Sequence, residues 1–207
     1  TIACLKIGAI MVPVNTKLKA HELSYILIHS KPKAIIAETY LQETIEKIPS
    51  VDTSASSYLQ DVVYVDADAP EAGLSSLLAQ QGTYISEDIT EIDGAFLCYT
   101  SGTTGLPKGA LISHINMIHT VMHYHYHLGS DESSRTLIAV PLFHITGLAA
   151  QFLHMVYVGG STVLLRQYQN EEYIHHIVKH EVNFVANVPT IFIMMGTSPL
   201  LKEQNLD

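Results

Sequence analysis

The sequence predicts an α/β fold of stacked, largely parallel sheets with flanking helices. Two observations predict it. Short apolar runs of strand length alternate with amphipathic, helix-length segments along almost the whole chain. Apolar residues make up 47 % of the 207 and charged residues 15 %, enough for a sizeable buried core and too apolar for disorder.

The elements follow in order. Thr1 to Ile10 carries a helix-like apolar pattern, and Met11 to Val14 a short strand closed by Pro13 and Asn15. Ala20 to Ser30 places Leu23, Ile26 and Leu27 on one helical face, with Pro32 just past its end. Ala34 to Ala37 is a buried strand, and Thr39 to Ile48 a helix stopped by Pro49. Val51 to Ser57 is small and polar and reads as a surface loop. Asp61 to Asp66 is a strand, Asp66 to Gly73 a solvated loop and Leu74 to Gln81 a short helix. Glu87 to Asp93 is an acidic connection into the strand Gly94 to Cys98, and Ala110 to Ser113 is a strand. His114 to Leu128 follows as a helix capped by Ser113, with Ile115, Ile118, Met122 and His125 as its inner stripe. Strands over Thr136–Val140, Ser161–Leu165 and Asn183–Val188 alternate with helices over Gly147–Val158 and Glu171–Glu181. Pro189 opens a last helix. The domain reading is a first lobe over 1–92 and a second over 93–207.

Tyr99-Thr100-Ser101-Gly102-Thr103-Thr104-Gly105-Leu106-Pro107-Lys108-Gly109 concentrates the chemistry. Its glycines allow close backbone approach to a ligand, and its amides can form an anion nest. Thr100, Ser101, Thr103 and Thr104 add hydroxyls, one of which could reach magnesium, and Lys108 adds a point charge for phosphate oxygens. It is not a Walker A loop, because Lys108 precedes Gly109 and a strand follows.

The net charge of −9 argues against nucleic-acid binding. Cys4 and Cys98 lack metal-ligand spacing and read as two reduced core thiols in a cytoplasmic protein. No signal peptide is visible. The chain begins at Thr1 without a methionine, as expected of a piece cut from a longer protein. Between Arg135 and Arg166 no residue is charged, but Pro141, His144, Thr146, Gly147, His154 and Gly159-Gly160 interrupt the run, so a transmembrane span is not expected. Among the 12 histidines, His123 with His127 and His176 with His180 lie four apart on helices. Neither pair has a third ligand at a recognised spacing, which leaves them as polar helix surface. His144 follows an apolar strand, where α/β sheets place their site loops.

The Tyr99–Gly109 stretch resembles the phosphate-binding signature of the adenylate-forming superfamily, which includes acyl-CoA synthetases, luciferases and peptide-synthetase adenylation domains. Gly8–Asn15 with His21–Leu27, and Pro141–Gly147, resemble an earlier and a later segment of the same family, in the right order. The resemblance implies part of a large N-terminal domain in which two such sheets stack. It also implies an ATP-dependent activation of a carboxylic acid as acyl-AMP, then transfer to coenzyme A, with magnesium. Thr100, Ser101, Gly102, Thr103, Thr104, Gly105 and Lys108 then hold the β- and γ-phosphates, and Thr104 or a neighbour contacts the metal. His144 lies beside the carboxylate and α-phosphate. Gly147, Leu148, Val188, Pro189 and Thr190 line an acyl pocket, and Arg166 approaches the coenzyme A phosphate.

Amino-acid-activating relatives carry an aspartate just after the strand, where this chain has Pro141-Leu142-Phe143-His144. An unpaired buried ammonium is costly, so the expectation is a fatty acid. An aryl acid, an adenylation domain and a non-catalytic scaffold are the alternatives. Against the family pattern, the adenine and ribose motifs and the C-terminal domain with its lysine are absent, so these 207 residues alone are expected to be inactive.

Overall fold

The computed structural model describes residues 1–66, 74–79, 82, 88–100 and 106–203. Along the chain come α1 (Ile2–Lys6), α2 (Ala20–Ser30), β1 (Ile35–Ala37), α3 (Gln42–Glu46), α4 (Ile48–Val51), β2 (Val62–Tyr64), α5 (Leu74–Leu78), β3 (Gly94–Thr100) and β4 (Lys108–Ser113). Then follow α6 (His114–Leu128), β5 (Arg135–Ile138), α7 (His154–Val158), β6 (Ser161–Leu164), α8 (Asn170–Lys179), α9 (Pro189–Thr197) and α10 (Pro199–Glu203). The sequence boundary at residue 92 is a single cut. Packing instead divides the chain into two interleaved units, one of Thr1–Pro13, Asp88–Cys98 and Gly109–Asp207, the other of Val14–Glu87 and Tyr99–Lys108. The reason is local: Met11 bridges Phe96 in parallel, so the N-terminal segment belongs with β3.

In the unit of Val14–Glu87 and Tyr99–Lys108, β1 and β2 pair in parallel with Ile36 opposite Val63. Helix α2 starts where Glu22 Oε2 accepts the Lys19 N–H at 2.9 Å, and it ends at Lys31 in the left-handed region, φ 49°. Its Leu27 packs with Ile48 and Ala55, joined by Leu23, Ile35 and Tyr58. Two expectations are corrected here. Pro49 does not stop a helix but sits in the first turn of α4, where its missing N–H costs nothing. Thr53–Tyr58 stays largely at the surface but is a 3-10 helix capped by Asp52 rather than a loop, and it puts Ala55 wholly out of solvent.

In the other unit, β5 and β6 pair in parallel, Arg135 opposite Ser161 through Ile138 opposite Leu164. One core joins Phe96, Met117, Val121, Leu148 and Leu153, with Leu5, Met11 and Cys98 against it. A second joins Leu137, Tyr173, Ile174, Ile177, Ile191 and Met195. The strands expected over 11–14 and 183–188 shrink to single parallel bridges, Met11 to Phe96 and Thr136 to Phe184. Cys4 and Cys98 are both free and half-buried, and Cys98 packs against the first core. Burial raises the Cys98 thiol above its usual range.

Helix α6 has the expected limits and cap: Ser113 Oγ accepts the Asn116 N–H at 3.3 Å, and Asn116 Oδ1 accepts the Ser113 N–H at 3.2 Å. Its inner face is not the expected one. Met117 and Val121 are buried, while Ile118 and Met122 are 49 % and 43 % exposed. The helix carries two overlapping apolar stripes one residue apart, and packing chooses the other. The helix expected over 147–158 opens as a π-helix, Thr146–Leu153, in which the His154 N–H reaches the Ala149 carbonyl, before turning α-helical. The C-terminal end of the helix expected at 74–81 and most of the loop at 66–73 lie outside the described residues.

Candidate functional site

Three candidate segments share one edge of the β5 sheet. Strand β6 lies parallel to β5 on one side and Phe184 bridges it in parallel on the other, through the same Thr136. The chain therefore leaves all three at their C-terminal ends: into Pro141–Leu148 after β5, into Arg166 after β6, and into Val188–Thr190 after Phe184. In open α/β sheets this edge is where ligands bind.

Within the first segment, His144 sits in a tight turn, its N–H donating to the Pro141 carbonyl at 3.0 Å and its own carbonyl accepting the Leu148 N–H at 3.0 Å. The Thr146 N–H donates to His144 Nδ1 at 3.2 Å. A ring nitrogen that accepts carries no proton, so the neutral imidazole of His144 bears its proton on Nε2, on an exposed side chain. Gly147 is buried, and a Cβ there would lie 2.8 Å from the Val140 and Pro141 carbonyl oxygens, so only glycine lets the π-helix close onto the turn.

A buried polar chain fixes the third segment. Thr136 Oγ1 donates to Gln151 Oε1 at 3.0 Å, and Gln151 Nε2 donates to the Ala186 carbonyl at 2.9 Å. Asn187 Nδ2 donates to the Tyr173 hydroxyl at 2.6 Å. Burial pushes the Tyr173 phenol up to about 12, so it stays protonated. Val188, Pro189 and Thr190 emerge exposed just beyond, whereas Leu148 has no accessible surface and packs into the core. Nothing in the sequence singled out Gln151, since a lone glutamine in an apolar run has no motif.

The phosphate-type stretch belongs to the other unit. Ser101, Gly102, Thr103, Thr104 and Gly105, Thr104 being the candidate magnesium ligand, lie outside the described residues. Thr100 and Lys108 are both exposed, at the end of β3 and the start of β4. Helix α2 holds the flanks: Tyr25 donates its hydroxyl to the Pro107 carbonyl at 3.1 Å, and His29 Nδ1 lies 2.6 Å from the Tyr99 hydroxyl.

A buried Ser130–His154 pair escaped the sequence reading as well. Ser130 Oγ lies 2.6 Å from His154 Nε2, and His154 Nδ1 lies 3.3 Å from the Ala150 carbonyl. With the carbonyl able only to accept, Nδ1 carries the proton and Nε2 accepts from the serine. Desolvation, more than any neighbour, holds the His154 imidazolium below its usual range. The rings of His123 and His127 approach to 6.2 Å, and those of His176 and His180 stack at 5.3 Å. Among the described residues no group of three or more His, Cys, Asp or Glu could hold a metal ion.

The parallel α/β architecture is that of a nucleotide-binding class of enzyme, and the comparison with known families names it. The AMP-binding enzyme family matches residues 1–207, and the chain belongs to it. The chain is 35 % identical over 190 residues to the 2-succinylbenzoate–CoA ligase of Bacillus licheniformis, covering 91 % of this chain and 36 % of that protein. It is 28 % identical over 200 residues to the peroxisomal OPC-8:0-CoA ligase 1 of Arabidopsis thaliana, covering 94 % and 36 %. The O-succinylbenzoate coenzyme A synthetase of Bacillus subtilis, solved in complex with ATP and magnesium ion, superposes with a TM-score of 0.76 at 28 % identity, over 99 % of this chain and 38 % of that one. The chain thus spans about a third of the length of the relatives it matches. Among the described residues no helix is long and apolar enough to cross a membrane.

Proposed function

We propose that these residues form part of an AMP-forming acid–thiol ligase. A carboxylate oxygen attacks the α-phosphorus of ATP and pyrophosphate leaves. A coenzyme A thiol then attacks the acyl carbon, AMP leaves, and the thiol proton passes to solvent or a base. Membership of the AMP-binding enzyme family over the whole chain carries this reading.

The carboxylate is already a nucleophile, so the protein's work is to position two anions and to stabilise charge on phosphorus. In this reading Lys108 and the hydroxyls and amides from Thr100 to Gly105 hold the β- and γ-phosphates. His144, with its proton on Nε2, donates to an oxygen of the α-phosphate or of the acid. Gly147 contributes by letting the turn close, and Val188, Pro189 and Thr190 offer surface to the acyl group. Arg166, leaving the same sheet edge, takes the coenzyme A phosphate. Magnesium would offset the phosphate charge, with Thr104 as its candidate ligand.

The substrate is an apolar carboxylic acid, aryl or fatty. No acidic residue lies between Arg135 and Arg166 to pair an ammonium. The relatives named above include a 2-succinylbenzoate–CoA ligase, which supports an aryl acid beside a fatty one. Carboxylate-dependent ATP–pyrophosphate exchange tests the proposal on the full polypeptide that carries this sequence, with fatty, aryl and amino acids. Exchange with fatty or aryl acids, reduced at least tenfold by Lys108→Ala, is the expected result. Exchange with none of them overturns the ligase reading, and exchange with amino acids alone overturns the substrate class.

A further inference from the structure

Helix α2 contributes no motif residue to the phosphate stretch, yet two of its side chains grip both flanks. Tyr25 and His29 are four residues apart and so share one face of the helix. Their rings stack at 5.9 Å with 16° between planes. The Tyr25 hydroxyl donates to the Pro107 carbonyl, one residue before Lys108. His29 Nδ1 meets the Tyr99 hydroxyl, one residue before Thr100, and the His29 and Tyr99 rings also meet edge to face at 5.6 Å. Burial raises the Tyr99 phenol above its usual range, which keeps its proton available to the imidazole.

We propose that Tyr25 and His29 are positioning residues for ATP: as one stacked pair on α2 they fix Pro107 and Tyr99, and through them Lys108 and Thr100. This rests on the ligase reading above. The physical reason is preorganisation. Lys108 sits on an exposed strand end, and a long cationic side chain gains affinity when its backbone anchor is already placed. Pro107 has no N–H, so its carbonyl is its only backbone hydrogen-bonding group, and Tyr25 holds it. The effect is expected on the nucleotide rather than the acid, because the hydrogen bonds of both side chains fall on Pro107 and Tyr99, the flanks of the phosphate stretch.

The test uses the full polypeptide that carries this sequence, with MgATP affinity measured by calorimetry and KM for ATP and for the acid measured by pyrophosphate exchange. Tyr25→Phe and His29→Leu are each expected to raise KM for ATP about 3- to 10-fold, the factor for one lost hydrogen bond, with KM for the acid within twofold of wild type. His29→Asn, which can keep an acceptor near the Nδ1 position, returns KM for ATP to within about twofold. Tyr99→Phe adds nothing further in the His29→Leu background. The proposal is overturned if ATP affinity is unchanged in both variants. It is overturned equally if both KM values rise together with a fall in melting temperature, the mark of a merely structural role. A wild-type protein that binds MgATP and exchanges pyrophosphate while the variants match it sinks this proposal alone. A wild-type protein that does neither sinks the ligase reading with it.

Discussion

At the scale of single residues, His154 makes the clearest pH prediction. Its imidazole is wholly buried, accepts from Ser130 and is flanked by Tyr124 and Phe184, with His125 as the nearby charge. Its value in the folded state lies below the ordinary 6.5. Below pH 6.5 the unfolded chain therefore binds a proton that the folded chain refuses, and stability falls as pH falls from there toward the folded value. Denaturant midpoints measured from pH 7.5 to 5 should drop on the acid side. His154→Gln should flatten that slope by up to about 1.4 kcal/mol per pH unit. Gly147→Ala is a separate case. Its methyl would meet two backbone oxygens that cannot swing aside, which predicts a loss of about 1–3 kcal/mol and a lower melting temperature. If Gly147→Ala melts with the wild type, the turn is looser than its contacts indicate.

Lys108 and His144 stand out in the sequence as candidates because the residue types around them and their order are chemically unusual. Their supports do not. Gln151 and Ser130 are ordinary residues in ordinary contexts, Tyr25 lies in a recognised segment that gives no hint of its partner, and the contacts of all three arise only when distant segments meet.

At the scale of elements, the sequence located helix α6 to the residue at its N-terminus, because a serine cap before a helical run is a local signal. Ser113→Ala should cost about 1 kcal/mol, readable in thermal melts. The buried face of α6 was misread for the opposite reason. Ile118 and Met122 are as apolar as Met117 and Val121, and only the neighbours at Phe96 and Leu148 decide between them. The π-helix was invisible as well, since the close approach at Gly147 and the Gln151–Ala186 hydrogen bond within it leave no mark on the residue pattern. Gln151→Leu fills the same space but strands the Thr136 hydroxyl and the Ala186 carbonyl. That predicts about 2–4 kcal/mol of destabilisation, checked by urea unfolding. A Leu variant as stable as wild type would show that water replaces the glutamine.

At the scale of the whole molecule, alternation of strands and helices made the fold class legible, while the division into units was not. A linear reading cuts once, at residue 92. The structure makes four crossings, because Met11 pairs with Phe96 and Tyr99–Lys108 joins residues 14–87. A cut at residue 92 therefore leaves neither unit whole. Expressed separately, residues 1–92 should show weak helical circular dichroism and no cooperative melt, and a sharp transition would contradict the interleaving.

That interleaving also sets a timetable for synthesis. A polypeptide emerges N-terminus first, and Met11 leaves the ribosome some ten seconds before Phe96 at ordinary elongation rates. During that interval the first segment has no strand to pair with, and residues 14–87 lack the stretch that Tyr25 and His29 grip. The nascent chain must therefore wait, partly unpaired, for the phosphate stretch before either unit can close, and a chaperone that shields apolar segments has its work here.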